Sequence, residues 1–150
     1  MSTAGFVLAC ALDLLGRSPA QLPPIVIVDQ RPPDASAHAV GFVRPDEHVI
    51  YLIASSPAFQ SAIEAQDRSR SCRGLDSLRY IASVIVHERW HLERGGSEEA
   101  AYAAQLTELV RLGAGPGRWP YAAVMKSMHA AKALEARKIE IARHQVALAR

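Results

Sequence analysis

The amino-acid sequence predicts an α+β domain, and three observations carry that reading. A helix-period apolar run opens the chain, short β-branched runs cluster between residues 25 and 53, and long helix-period stretches fill residues 75 to 150. Strands and helices are therefore segregated along the chain rather than alternating, which is the signature of α+β rather than of α/β. A length of 150 residues is enough for one core, so residues 1–150 are read as a single domain.

Taken in order, residues 3–16 read as a helix, with Gly16 as a stop signal and Pro19 beyond it. Ile25–Val28 is a short β-branched strand, and residues 29–37, with Pro32-Pro33, are a loop. A hairpin follows: Ala39–Arg44, a turn at Pro45-Asp46-Glu47, then His48–Ile53. Apolar residues fall on both faces of the second arm, which suits a strand covered on both sides or an edge strand awaiting a partner. Ser55-Ser56-Pro57 starts a short helix to about Gln66, and Asp67–Gly74 is a polar connection. Residues 75–94 are the clearest helix, with Leu78, Ile81, Val84 and Ile85 at helical spacing and Gly95-Gly96 as its end. Ser97 is a fitting N-cap for a helix from about Glu98 to Leu112. Gly113–Pro120 is a second break, and a long helix runs from about Tyr121 to residue 150.

Seventeen basic and fifteen acidic residues leave a formal net charge of +2, so nothing calls for nucleic acid as a partner. Lys126, Lys132, Arg137, Lys138, Arg143 and Arg150 read as a solvated helix face. Ala4–Leu15 lacks a preceding basic residue and is interrupted by Asp13. It reads as a buried helix, and a cytoplasmic location with no membrane partner is expected. Two cysteines make no disulfide framework: Cys10 reads as a core residue, Cys72 as an exposed thiol, and a reducing compartment suits both.

The chemistry concentrates at His87-Glu88-Arg89-Trp90-His91. On a helix, positions i and i+4 share a face, so both imidazoles can reach one metal ion. Glu88 stands beside them without sharing their direction, which suits a general base acting on a water that zinc has acidified. Catalytic zinc takes a third protein ligand. The next helix must fold back antiparallel after so short a break, and Glu98 and Glu99 stand at its start. Glu98 shares a face with Ala101 and Tyr102, Glu99 with Ala103 and Leu106, so helix geometry leaves both open.

The stretch from His87 to Gln105 resembles the gluzincins, zinc metallopeptidases with HExxH on one helix and a glutamate ligand on the next. Their second helix often reads E-x-x-A followed by a polar or aromatic residue, and Glu98-Glu99-Ala100-Ala101-Tyr102 fits. The resemblance implies a minimal zincin-like domain with an N-terminal helix, small sheet, motif helix, third-ligand helix and long C-terminal helix. Its metal-site core would span about 22–112 and its last helix about 121–150. It implies Zn2+ held by His87, His91 and Glu98, with Glu88 as the catalytic base cleaving a peptide bond. It also implies that His48–Ile53 offers backbone groups to an extended peptide. The chain departs from the family at the charged Arg89 and Glu93, and in its short spacing to Glu98. The metzincin pattern fails, since Arg94 and Ser97 replace its glycine and third histidine.

Trp90 and Tyr102 read as core aromatics before they read as site walls. Tyr121, His129 and His144 are weak candidates for an oxyanion partner, His38 and His48 have no motif around them, and Met125, Met128, Leu134 and Ile139 fall near helical spacing and dock the last helix. The expected partner is a peptide or protein substrate, with the C-terminal helix as the candidate oligomer contact. The alternative is a catalytically silent zinc-binding regulatory protein on the same fold.

Overall fold

The computed structural model describes residues 2–69, 71–72 and 75–150. Its elements are α1 (Thr3–Leu15), a 3-10 turn (Pro19–Gln21), β1 (Ile25–Val28), β2 (Gly41–Val43), β3 (Ile50–Ile53), α2 (Pro57–Ser69), α3 (Asp76–Arg94), α4 (Glu98–Arg111) and α5 (Trp119–Leu148). The α+β expectation is met, with five helices and one small mixed sheet among the described residues. Of the connection expected over residues 67–74, the first part continues α2 through Ser69. Arg70, Arg73 and Gly74 lie outside the described residues.

The helix ends follow from local chemistry. Ser2 caps α1 by accepting from the Gly5 amide at 3.1 Å, and Gly16 ends it at φ 64°, a conformation that costs a residue without a β-carbon little. Ser56 accepts from the Phe59 amide at the start of α2. Ser97 does the same for Ala100 at 3.2 Å at the start of α4. Asp76 stands in the first turn of α3, where it meets Arg79 at 2.8 Å and Arg118 at 3.0 Å. Burial alone would raise its carboxyl, but hydrogen bonds from Arg118 and Arg79 outweigh that and hold it below the ordinary carboxylate range.

α3 is the centre of the molecule. It packs against α1, α2, α4 and the β2–β3 side of the sheet, and Leu78, Ile81, Ala82 and Ile85 are fully buried on it. The other core residues, among them Val7, Cys10, Ile50, Leu52 and Phe59, come from α1, β3 and α2. Burying side chains of this size contributes about 1.5–3 kcal/mol each. The distal half of α5 corrects an expectation: Leu134 and Ile139, expected to dock the helix, are exposed, as are Ile141, Val146 and Leu148, because this half of the helix runs past the core.

The sheet corrects one expectation. Its order is β1-β3-β2, with β1 parallel and β2 antiparallel to β3. β3 is therefore the central strand. Its Ile50 and Ala54 amides donate to Pro24 and Val28 on the β1 side, and its Ile53 amide donates to Val40 on the β2 side. With both edges engaged, His48–Ile53 has no row of backbone groups to offer a peptide. The pairing partner that makes β3 central, β1, lies more than twenty residues upstream, and strand periodicity carries no information about it. The hairpin itself is present, with shorter arms than expected (Gly41–Val43 and Ile50–Ile53) and a connection containing His48 at φ 48°.

The cysteines correct a second. Cys10 and Cys72 form a disulfide, with Cα atoms 5.0 Å apart across a sequence separation of 62. Cys10 is buried as expected, but Cys72 is neither free nor exposed as a thiol. Bridging α1 to the approach to α3 closes a long loop, worth about 4 kcal/mol in a chain-entropy account. No helix among the described residues is long and apolar enough to cross a membrane.

Candidate metal centre

Two helices bring the chemistry together. His87 and His91 lie one turn apart on α3, and α4 returns against α3 after Gly95, whose φ of 93° allows the reversal. One turn before His87, the two helices are braced: Gln105 Nε2 donates to Ser83 Oγ at 3.0 Å, and Ser83 donates to the Tyr80 carbonyl at 2.7 Å. Both partners are buried, where an unmade hydrogen bond costs about 1–3 kcal/mol. The brace holds the start of α4 over the histidine face of α3.

The Nε2 atoms of His87 and His91 are 3.2 Å apart. Glu98 Oε1 lies 2.7 Å from His91 Nε2, and Glu98 Oε2 lies 3.5 Å from His87 Nε2. The three ligand atoms all fall within 4.8 Å of one another. His91 is oriented from behind, since its Nδ1 donates to the Gly95 carbonyl at 2.9 Å. A carbonyl can only accept, so Nδ1 carries a proton, and Nε2, which faces the Glu98 carboxylate, carries one too in the metal-free protein. Hydrogen bonds from both histidines pull the Glu98 carboxyl down to about 2, and the Glu98 hydrogen bond pushes His91 up to about 9. The two shifts describe one attraction, between the Glu98 carboxylate and the imidazoles beside it.

This donor set fits a metal ion. Two imidazole nitrogens and one carboxylate are the borderline ligands zinc takes at catalytic sites, where three protein groups leave a position open. Glu99 is turned away, with its carboxylate 3.3 Å from Lys132 Nζ on α5. The two glutamates that helix geometry left open are thus separated: Glu98 faces the histidines and Glu99 ties α4 to α5.

Glu88 is buried beside the pair, and burial pushes its carboxyl up, with His87 and His91 opposing and Glu98 adding to the rise. β2 lies directly on it. A β-carbon at Gly41 would stand 3.0 Å from Val84 Cγ1, 3.0 Å from the Tyr51 carbonyl oxygen and 3.3 Å from Glu88 Cγ. Only a residue without a side chain lets the strand lie this close, and an isolated glycine in a β-branched run is the sequence signal that could have found it.

The remaining candidates separate cleanly. Tyr102 stands against His87 with ring centroids 4.5 Å apart, so it is a wall of the site rather than core alone. Trp90 instead stacks under Arg94 at 4.8 Å. His129, His144, His38 and His48 are not part of the cluster. A cavity of about 160 Å³ lies elsewhere, between the end of α1, α3 and α4, with Leu15, Ile85, Arg89 and Arg111 in its lining. It shares no residue with the cluster, and two of its guanidinium groups are already paired, Arg89 with Glu93 and Arg111 with Glu108.

Compared with protein-family models, curated proteins and solved structures, the chain matches none.

Proposed function

We propose that the chain is a zinc-dependent hydrolase acting on peptide bonds. The observation that carries this reading is the convergence of His87 Nε2, His91 Nε2 and a Glu98 oxygen within 4.8 Å, beside the buried carboxyl of Glu88. The HExxH spacing of the sequence and the gluzincin resemblance from His87 to Gln105 support it.

In this reading His87, His91 and Glu98 hold the ion. When bound, zinc supplies Lewis acidity toward a carbonyl oxygen and toward water. Glu88 takes the proton from the attacking water as its oxygen joins the carbonyl carbon. It then delivers that proton to the amine as the C–N bond breaks. Its raised carboxyl suits a group that must both accept and release a proton.

Substrate alignment moves from β3 to β2. Ile53 donates to Val40, so by the alternation of an antiparallel ladder Phe42 also points its backbone at β3 and Val43 turns its backbone to the open edge, while Gly41, in the same register as Val43, is buried against α3. An extended segment adding to that edge would lie alongside the strand that touches Glu88.

The test is Glu88→Gln in zinc-loaded protein against a broad peptide library. The amide cannot accept the proton, so zinc should be retained while cleavage falls by about 10²–10⁴-fold. Equal cleavage by the variant removes Glu88 as the base. Zinc retained with no cleavage by the wild type favours the silent regulatory alternative.

A further inference from the structure

The two histidines of the cluster are held in different ways. His91 has its Nδ1–H on the Gly95 carbonyl, which fixes its ring plane. The His87 imidazole is buried, and its Nδ1 has no hydrogen-bond partner. Nothing at the back of that ring determines how it turns. Beyond the contacts of its Nε2 with His91 and Glu98, its orientation comes from what packs on its faces.

The Tyr102 ring is what packs there. Its centroid is 4.5 Å from that of His87 at an interplanar angle of 59°, closer than the His91 ring at 4.9 Å. Tyr102 lies one turn beyond Glu98 on α4, so one helix face supplies both the carboxylate and the wall. The hydroxyl end of the tyrosine lies toward Ser127 on α5.

We infer that Tyr102 is a positioning residue for His87, clamping the imidazole through ring contact in place of the hydrogen bond that usually orients a metal-bound histidine. This rests on reading His87, His91 and Glu98 as a zinc site. The working part of Tyr102 is then its ring and not its hydroxyl. A residue of similar bulk but without a flat face leaves His87 free to turn, and leaves His91 untouched because Gly95 still holds it.

The test is zinc affinity by chelator competition on the full-length chain, for Tyr102→Leu and Tyr102→Phe, with His87→Ala alongside. Tyr102→Leu should weaken zinc by about 10–100-fold, the range for losing a group that orients a ligand, and Tyr102→Phe by less than about threefold. In the wild type, nuclear Overhauser contacts should join the ring protons of Tyr102 and His87. An unchanged affinity in folded Tyr102→Leu overturns the inference, as does a loss in Tyr102→Phe equal to that in Tyr102→Leu. Should Tyr102→Leu fail to fold, the other two readouts decide: a missing ring-to-ring contact, or a tenfold loss in Tyr102→Phe, overturns it. If His87→Ala itself retains zinc, the metal reading fails. If His87→Ala loses zinc while Tyr102→Leu keeps it, the role of Tyr102 alone fails.

Discussion

The second half of α3 and the second half of α5 carry similar residues to opposite ends. Both are helical and both hold histidines and glutamates: His87, Glu88 and His91 on one, Glu135, Glu140 and His144 on the other. On α3 the polar groups are enclosed by α4 and β2, and those that carry the site converge within hydrogen-bond range. On α5 they stand in water, beside apolar side chains that are equally exposed. Placing an ionisable group in a low-dielectric interior costs free energy unless a partner offsets it, so enclosed groups that face one another point to a ligand and exposed ones do not. A histidine on a helix is informative only through what the fold sets against it.

The widest gap between the two regions should appear in stability. Ile85→Ala removes a fully buried side chain and should cost about 2–5 kcal/mol. Ile141→Ala removes an exposed one and should cost less than about 0.5 kcal/mol. Denaturant midpoints of both variants check this, and equal losses would mean that the distal half of α5 is covered by another surface in solution.

Next in size is the division between neighbouring glutamates. Glu98→Gln should weaken zinc by more than about a hundredfold, while Glu99→Gln, which loosens only the tie to Lys132, should change it by less than about tenfold. The opposite ranking in a chelator titration would move the third ligand to Glu99.

The smallest effect concerns the anchored end of α5. Arg118, just before α5, and Arg79 hold the Asp76 carboxyl below its ordinary range in the folded chain. A lowered folded pKa gives stability that is present above the unfolded carboxylate pKa and is lost as pH falls toward the folded value. Asp76→Asn should therefore cost about 1 kcal/mol near neutral pH and flatten that part of the acid limb. A parallel acid limb in the variant would show that Asp76 does not contribute to it.

Much of this organisation was readable from residue patterns. The 3.6-residue spacing along α3, the serine at Ser97 and the glycines at Gly95-Gly96 are local signals, and the helices they predict are present to within a few residues. The motif histidines were readable because their spacing alone puts them on one face. What escaped depends on approach between distant segments. The parallel pairing that makes β3 central joins residues 25–28 to 50–53, and the disulfide joins Cys10 to Cys72. Helix geometry alone left Glu98 and Glu99 open and only the family spacing favoured Glu98; the contacts that set them apart, Glu98 with His91 and Glu99 with Lys132, exist only once α4 and α5 dock. The sequence makes Tyr102 core before site wall because an aromatic on such a helix is usually core, and its contact with His87 exists only once α4 folds back.

Elemental analysis of protein purified without a histidine tag tests the central claim most directly, on the wild type and on the His87→Ala/His91→Ala variant. The arrangement of His87, His91 and Glu98 predicts about one zinc ion per chain in the wild type and almost none in the variant. A wild type without stoichiometric zinc even after incubation with the ion, or equal zinc in both proteins, would contradict it.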